Sequence, residues 1–139
     1  DINLGIAVSI SNGLVVPVVK GAERLGLEAL AERREILVEK ARTSKLTEKD
    51  LEDGTFTVSN LGSLGTEIFT PIINPPEAAI LGVGKISKEP IVINDEIVIE
   101  PIIWLSLTFD HRAVDGAPAA EFLRQVKEFI EDSERMLLA

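Results

Sequence analysis

Ile102-Ile103-Trp104-Leu105-Ser106-Leu107-Thr108-Phe109-Asp110-His111-Arg112-Ala113-Val114-Asp115-Gly116-Ala117-Pro118 shows most plainly how this chain folds. Ile103, Leu105, Leu107 and Phe109 alternate with Ser106 and Thr108, the two-residue period of a strand. The polar run from Asp110 to Gly116 breaks that period. Pro118 suits a first helical turn, and Ala119, Phe122, Leu123, Val126, Phe129 and Ile130 then mark one helical face. The stretch predicts a long strand, a polar turn and a closing amphipathic helix.

Working back toward the N-terminus, Ile91–Ile93 and Ile97–Ile99 flank Asn94-Asp95-Glu96 and predict a hairpin. Ala78 to Lys85 and Thr55 to Ser59 read as strands, joined by a Gly- and Pro-rich ordered loop from Asn60 to Pro76. Thr47-Glu48-Lys49-Asp50 has the spacing of a capping box and predicts a short helix stopped by Gly54. Leu27, Leu30, Leu37 and Ala41 among many charges predict an amphipathic helix over 22–43, its charges facing solvent. Ile2, Leu4, Ile6, Val8 and Ile10 alternate as one strand, which a turn at Ser11-Asn12-Gly13 pairs with Leu14 to Val19; Pro17 puts that second run at an edge or bulge. With no repeat and no linker, residues 1–139 form one α+β domain, a sheet with helices packed on one face. The chain begins inside strand pattern with no start signal.

The chain has 139 residues, 45% hydrophobic and 27% charged, enough to build a core. Its 23 acidic and 14 basic residues give a net charge of -9, which argues against nucleic acid and anionic membranes as partners. No apolar run of about 18 residues exists to span a membrane, and no basic leader precedes one. A soluble, cytoplasmic protein is expected. The absence of cysteine removes disulfides and thiolate chemistry, and a single histidine leaves no multi-histidine metal site, so no metal is expected.

That histidine, His111, sits in the polar turn, and an imidazole whose ordinary pKa is about 6.5 can accept a proton at neutral pH. Acid, base and glycine packed into Asp110-His111-Arg112-Ala113-Val114-Asp115-Gly116 exceed what a structural turn requires. His111 to Gly116 resembles the His-x-x-x-Asp-Gly signature of dihydrolipoamide acyltransferases and chloramphenicol acetyltransferase, and the Asp110 and Arg112 neighbours favour the former family. Phe56-Thr57-Val58-Ser59-Asn60-Leu61-Gly62, the stretch from Phe69 to Gly84, and Gly13 to Val19 are also similar to that family, in the same order.

The resemblance implies a chloramphenicol acetyltransferase-like mixed sheet, shortened at the N-terminus, from the catalytic domain of a 2-oxo acid dehydrogenase complex. It implies transfer of an acyl group between dihydrolipoyl-lysine and coenzyme A. His111 would be the general base, the Ser59 hydroxyl the oxyanion donor, and Asp115 a brace for the turn, paired with Arg112 as the local candidate. Family members form trimers in which histidine and serine meet between subunits, and trimers build hollow cores with the dehydrogenase components attached. The lipoyl arm would come from another domain or chain. Lys20, Arg24, Lys85 and Lys88 are the candidates for coenzyme A phosphates, and in a trimer Met136-Leu137-Leu138 would support assembly.

Other readings compete. Ser59 and Asn60 are turn formers in their own right. Asp115 can cap the last helix, and Trp104 reads as packing. Ser59, His111 and Asp115 are triad residue types, but Thr57 and Leu61 occupy the glycine positions of a nucleophile elbow, which argues against a hydrolase. Gly82-Val83-Gly84-Lys85 lacks the earlier glycine and the hydroxyl residue of a phosphate loop. An inactive assembly protein that retains the motif is the alternative to an enzyme.

Overall fold

A computed structural model describes residues 1–132 and 134; Met136-Leu137-Leu138 lie outside them. Five strands form a mixed sheet in the order β4-β1-β5-β6-β7: β1 (Leu4–Ile6), β4 (Val18–Val19), β5 (Phe56–Asn60), β6 (Ala79–Ile93) and β7 (Glu96–Phe109). β1 is parallel to β5 and β5 to β6, whereas β4 and β7 are antiparallel to their neighbours. β2 (Val8–Ile10) and β3 (Gly13–Val15) make a separate hairpin.

The N-terminal run is therefore two strands rather than the single one its alternation predicts. The Ala7 amide turns to the Val58 carbonyl at 3.0 Å, after which the chain leaves the sheet. The return run also splits. Pro17 has no N–H to give a ladder, yet its carbonyl accepts from Ile6 at 2.9 Å, and its ring is fully buried.

Helix α1 is Leu27–Arg42, shorter than the predicted 22–43 because Gly21 adopts a left-handed φ of 60°, a 3-10 turn takes Ala22–Arg24, and Leu25 is extended before the Gly26 N-cap. Leu37 and Ala41 are its buried residues. The capping box forms as predicted, but on a 3-10 turn: the Thr47 amide donates to the Asp50 carboxylate at 2.9 Å. α2 is Gly116–Glu131, with Ala119 buried and Phe122 against Phe56 at 5.7 Å between ring centres. α1 contacts β4 at the edge of the sheet and β2 of the separate hairpin, and α2 contacts β7.

β6 and β7 are longer than their sequence signals. They join through a two-residue turn, Asn94-Asp95, both at positive φ (50° and 64°), and pair from Ile93 and Glu96 back to Ala79 and Phe109. Of β6, only Ile80–Val83 pair with β5, so beyond a bulge between Val83 and Ile86 the two strands β6 and β7 continue as a free-standing ribbon. Residues flanking a two-residue turn exchange both hydrogen bonds, and hydrogen-bonded pairs then alternate. Pro90 and Pro101 accordingly fall where an N–H would point outward, and the ladder loses nothing. Trp104, expected to pack, is 51% exposed.

Candidate active site

The bulge coincides with the end of β5. A Cβ on Gly62 would lie 2.5 Å from the Gly84 carbonyl oxygen, and one on Gly84 would strike the Glu67 carbonyl, so the two glycines let the 61–67 loop lie directly on β6. The Lys85 amide closes that contact by donating to the Thr66 carbonyl at 2.7 Å. Ser59 and Asn60 line the resulting cleft of about 670 Å³. Asn60 Oδ1 accepts from the Gly62 amide at 2.8 Å. The Ser59 hydroxyl has no hydrogen-bond partner among the described residues and is free to donate.

Beneath Ser59, two residues earlier on β5, Thr57 is fully buried. Its hydroxyl donates to the Glu77 carboxylate at 2.6 Å, and Asn74 Nδ2 reaches the other oxygen at 3.3 Å. Glu77 is itself buried. This cluster fastens the loop before β6 to the strand that carries Ser59.

His111 lies elsewhere. It follows β7, whose last residue Phe109 pairs with Ala79 at the start of β6, while Ser59 pairs with Gly82. With a strand rise of about 3.3 Å and strands about 4.8 Å apart, the two are on the order of 15 Å from each other within one chain. The His111 side chain is 71% exposed, and its Nδ1 is 3.8 Å from Asp115 Oδ1, close but beyond a hydrogen bond.

The brace of the turn is Asp110, not Asp115. The Asp110 carboxylate accepts from the Arg112 amide at 2.9 Å and from the guanidinium at 2.7 Å, while its carbonyl accepts from the Ala113 and Val114 amides and its amide donates to Ala78. The guanidinium first, then the Arg112 amide, hold the Asp110 carboxyl down at about 2. Arg112 is thus committed to Asp110 and does not pair with Asp115. Asp115 stands at the N-cap of α2 but makes no side-chain capping bond.

Of the four phosphate candidates, Lys85 lines the Ser59 cleft. Lys20 is bound to Glu52 and Asp53, Arg24 to Asp1 and Glu23, and Lys88 lies out on the ribbon. Sequence reasoning missed Arg34 and Arg42 of α1, which also line the cleft. Their signal was the Arg34-Val38-Arg42 stripe at helical spacing.

The family model for the catalytic domain of 2-oxoacid dehydrogenase acyltransferases matches residues 1–138. The chain belongs to this acyltransferase family. It is 47% identical over 137 residues to the dihydrolipoyllysine-residue acetyltransferase component of the acetoin cleaving system of Bacillus subtilis, covering 99% of this chain and 34% of that one. It is 48% identical over 136 residues to a probable succinyltransferase component of the mitochondrial 2-oxoglutarate dehydrogenase complex of Schizosaccharomyces pombe, covering 98% and 30%. Among solved structures, the acyltransferase of Azotobacter vinelandii, a dihydrolipoamide acetyltransferase, superposes with a TM-score of 0.93 at 38% identity, covering 99% of this chain and 56% of that one. A serine, a histidine and an asparagine of that enzyme were investigated for their role in its catalytic mechanism. The chain spans about a third of the length of the curated relatives it matches. Among the described residues no helix is long and apolar enough to cross a membrane and no cluster could hold a metal ion.

Proposed function

We propose that the chain transfers an acyl group between dihydrolipoyl-lysine, supplied by another domain or chain, and coenzyme A. One observation carries this reading: Ser59, His111 and Asp115 are spaced along the chain as are the serine, histidine and asparagine investigated in the Azotobacter vinelandii enzyme. Only the third position differs, a carboxylate for an amide, and each offers an oxygen toward an imidazole N–H.

A thiol with a pKa of about 8.5 is only a few per cent thiolate at pH 7. The neutral His111 imidazole takes the proton of the coenzyme A thiol, and the sulfur attacks the acyl thioester carbonyl. The Ser59 hydroxyl donates to the oxyanion that forms. Collapse expels the dihydrolipoyl sulfur, which receives the proton back from His111. Asp115, beside Nδ1, favours the tautomer that leaves Nε2 as the base. Because Ser59 and His111 are far apart within one chain, each site takes its base from one copy and its donor from the next, in a closed ring such as a trimer.

The test is acyl transfer from acetyl-coenzyme A to dihydrolipoamide by the full-length assembled protein. His111→Ala should abolish turnover, and Ser59→Ala should lower it by about a hundredfold or more. Particles assembled from a mixture of the two variants should regain activity, since some sites then hold both groups. Mixed particles as inactive as their parents would show that the groups do not share a site between copies. A fully inactive wild-type protein would leave assembly as the role.

A further inference from the structure

Among the described residues, Thr57 and Glu77 are the two polar side chains of the buried interior, and the reaction as proposed uses neither. The fold makes room for both. A Cβ on Gly5, the β1 partner of Thr57, would lie 2.5 Å from the Thr57 hydroxyl, and one on Gly54 would lie 2.5 Å from a Glu77 carboxylate oxygen. The partners of Glu77 are the Thr57 hydroxyl and the Asn74 amide, and no cation pairs with it among the described residues. An apolar side chain of similar volume would fill such a place without the desolvation cost of a carboxylate. The pair is therefore better explained by what it holds in place than by its own stability.

What it holds is the end of β5. β1 runs beside β5 only as far as Ile6 opposite Val58, and the Ala7 amide gives the Val58 carbonyl a last bond before the chain leaves the sheet. Ser59 and Asn60 are thus supported on one side only, by Gly82 and Val83 of β6. Side chains two apart on a strand share a face, so the Thr57 side chain stands next below Ser59, tied to Glu77 at 2.6 Å. A threonine is stiff at χ1, so a bond that fixes its hydroxyl also fixes the strand that bears it. The Glu77 amide donates to the Asn74 carbonyl at 3.0 Å and closes the turn that presents the carboxylate.

We propose that Thr57 and Glu77 are positioning residues for acyl transfer: their buried hydrogen bond fixes the end of β5 so that the Ser59 hydroxyl meets the oxyanion. The assignment rests on the acyltransferase reading and deepens it. A donor that serves only the transition state works through placement, and a misplacement of about 1 Å can cost a hundredfold in rate. The same segment also supports the His111 turn, through the Ala78 carbonyl and the Asp110 amide at 2.8 Å. That bond is between backbone groups, so Thr57→Val deletes the support of Ser59 and keeps that of His111.

The experiment is a cycle of variants in the full-length assembled enzyme, with kcat and KM measured for acetyl-coenzyme A and dihydrolipoamide. Thr57→Val should lower kcat by about tenfold or more and leave both KM values unchanged, because the lost alignment acts on the transition state alone. Thr57→Ser, which restores the hydroxyl, should recover most of the rate. In a Ser59→Ala background, Thr57→Val should lower kcat no further, since the group it aligns is gone. A pair that matters only for folding would lower activity by the same factor in both backgrounds. That result, or a wild-type kcat in Thr57→Val, would overturn the proposal. If Thr57→Val does not assemble, Glu77→Gln, a weaker acceptor of the same shape, runs the same cycle. It should lower kcat severalfold only where Ser59 is present; an unchanged kcat, or a fall that is independent of Ser59, overturns the proposal equally. Full activity in Ser59→Ala alone would instead sink the parent assignment of the oxyanion donor, a failure visible before any change is made at Thr57.

Discussion

Asp110 does at the base of the histidine turn what its neighbour Asp115 was expected to do. Its carboxyl is held at about 2, below the ordinary 3.8, by the Arg112 guanidinium and amide. A depressed carboxylate contributes stability at pH values above its ordinary range and loses it as pH falls through the folded value. The turn should therefore hold its shape down to about pH 4 and loosen toward about pH 2. Carboxyl NMR titration should place Asp110 at about 2 in the folded protein, with Arg112→Ala moving it up toward the ordinary value while the residue 112 amide still holds it somewhat below; an unmoved midpoint would refute the pairing. Beneath Ser59, Thr57→Val removes the donor at 2.6 Å from the buried Glu77 carboxylate. It should cost about 1–3 kcal/mol in denaturant unfolding, and an unchanged midpoint would show that Glu77 finds another partner. His111 and Ser59 stand out as candidates in the sequence because motif and spacing single them out. Arg34 and Arg42 do not, since a charged stripe reads the same whether it faces water or a cleft. Asp110 belongs to the same motif, but its role resides in amide directions that a sequence does not display.

The β6–β7 hairpin shows both the reach and the limit of pattern reading at the level of elements. Asn94-Asp95 was legible as a turn, and both residues adopt the positive φ that such turns demand. Asp95→Gly should be neutral or stabilising, whereas Asp95→Val, with a branched Cβ at φ 64°, should destabilise by about 1 kcal/mol or more. Thermal unfolding of the two variants in parallel checks the sign. The continuity of the strands was not legible, because a proline within an apolar run argues against a continuous strand, and only the hydrogen-bond phase set by the turn shows that Pro90 and Pro101 are tolerated. The opposite error occurred at the N-terminus. Unbroken alternation from Ile2 to Ile10 hides the departure from the sheet at Ala7, which is decided by partners distant in sequence, Val58 and Pro17.

For the molecule as a whole, surface area is the informative quantity. The chain exposes 9815 Å² at 15.1 kDa, against roughly 7,100 Å² for a compact monomer of that mass. Part of the exposed surface is apolar and lies on one face of the ribbon. Ile86, Val92, Ile97 and Ile99 are each at least 69% exposed there, and the face runs into the Ser59 cleft through Ile86 and Ile103. A neighbouring copy that brings its His111 to that cleft would cover it. Ile97→Glu with Ile99→Glu should therefore shift the full-length protein toward smaller species in sedimentation and lower transfer in parallel; an unchanged oligomer would place the contact elsewhere. Neither the area nor the face was legible beforehand, because periodicity marks apolar positions without saying what covers them. The two prolines complete this picture. A bare ribbon offers two rows of amides to any passing strand, the usual seed of amyloid growth. Pro90 on one border and Pro101 on the other delete a donor from each row, so the ribbon can adhere through its side chains but makes a poor template for fibres. An assembly that brought many such ribbons close together would thus be protected against cross-β pairing along their borders.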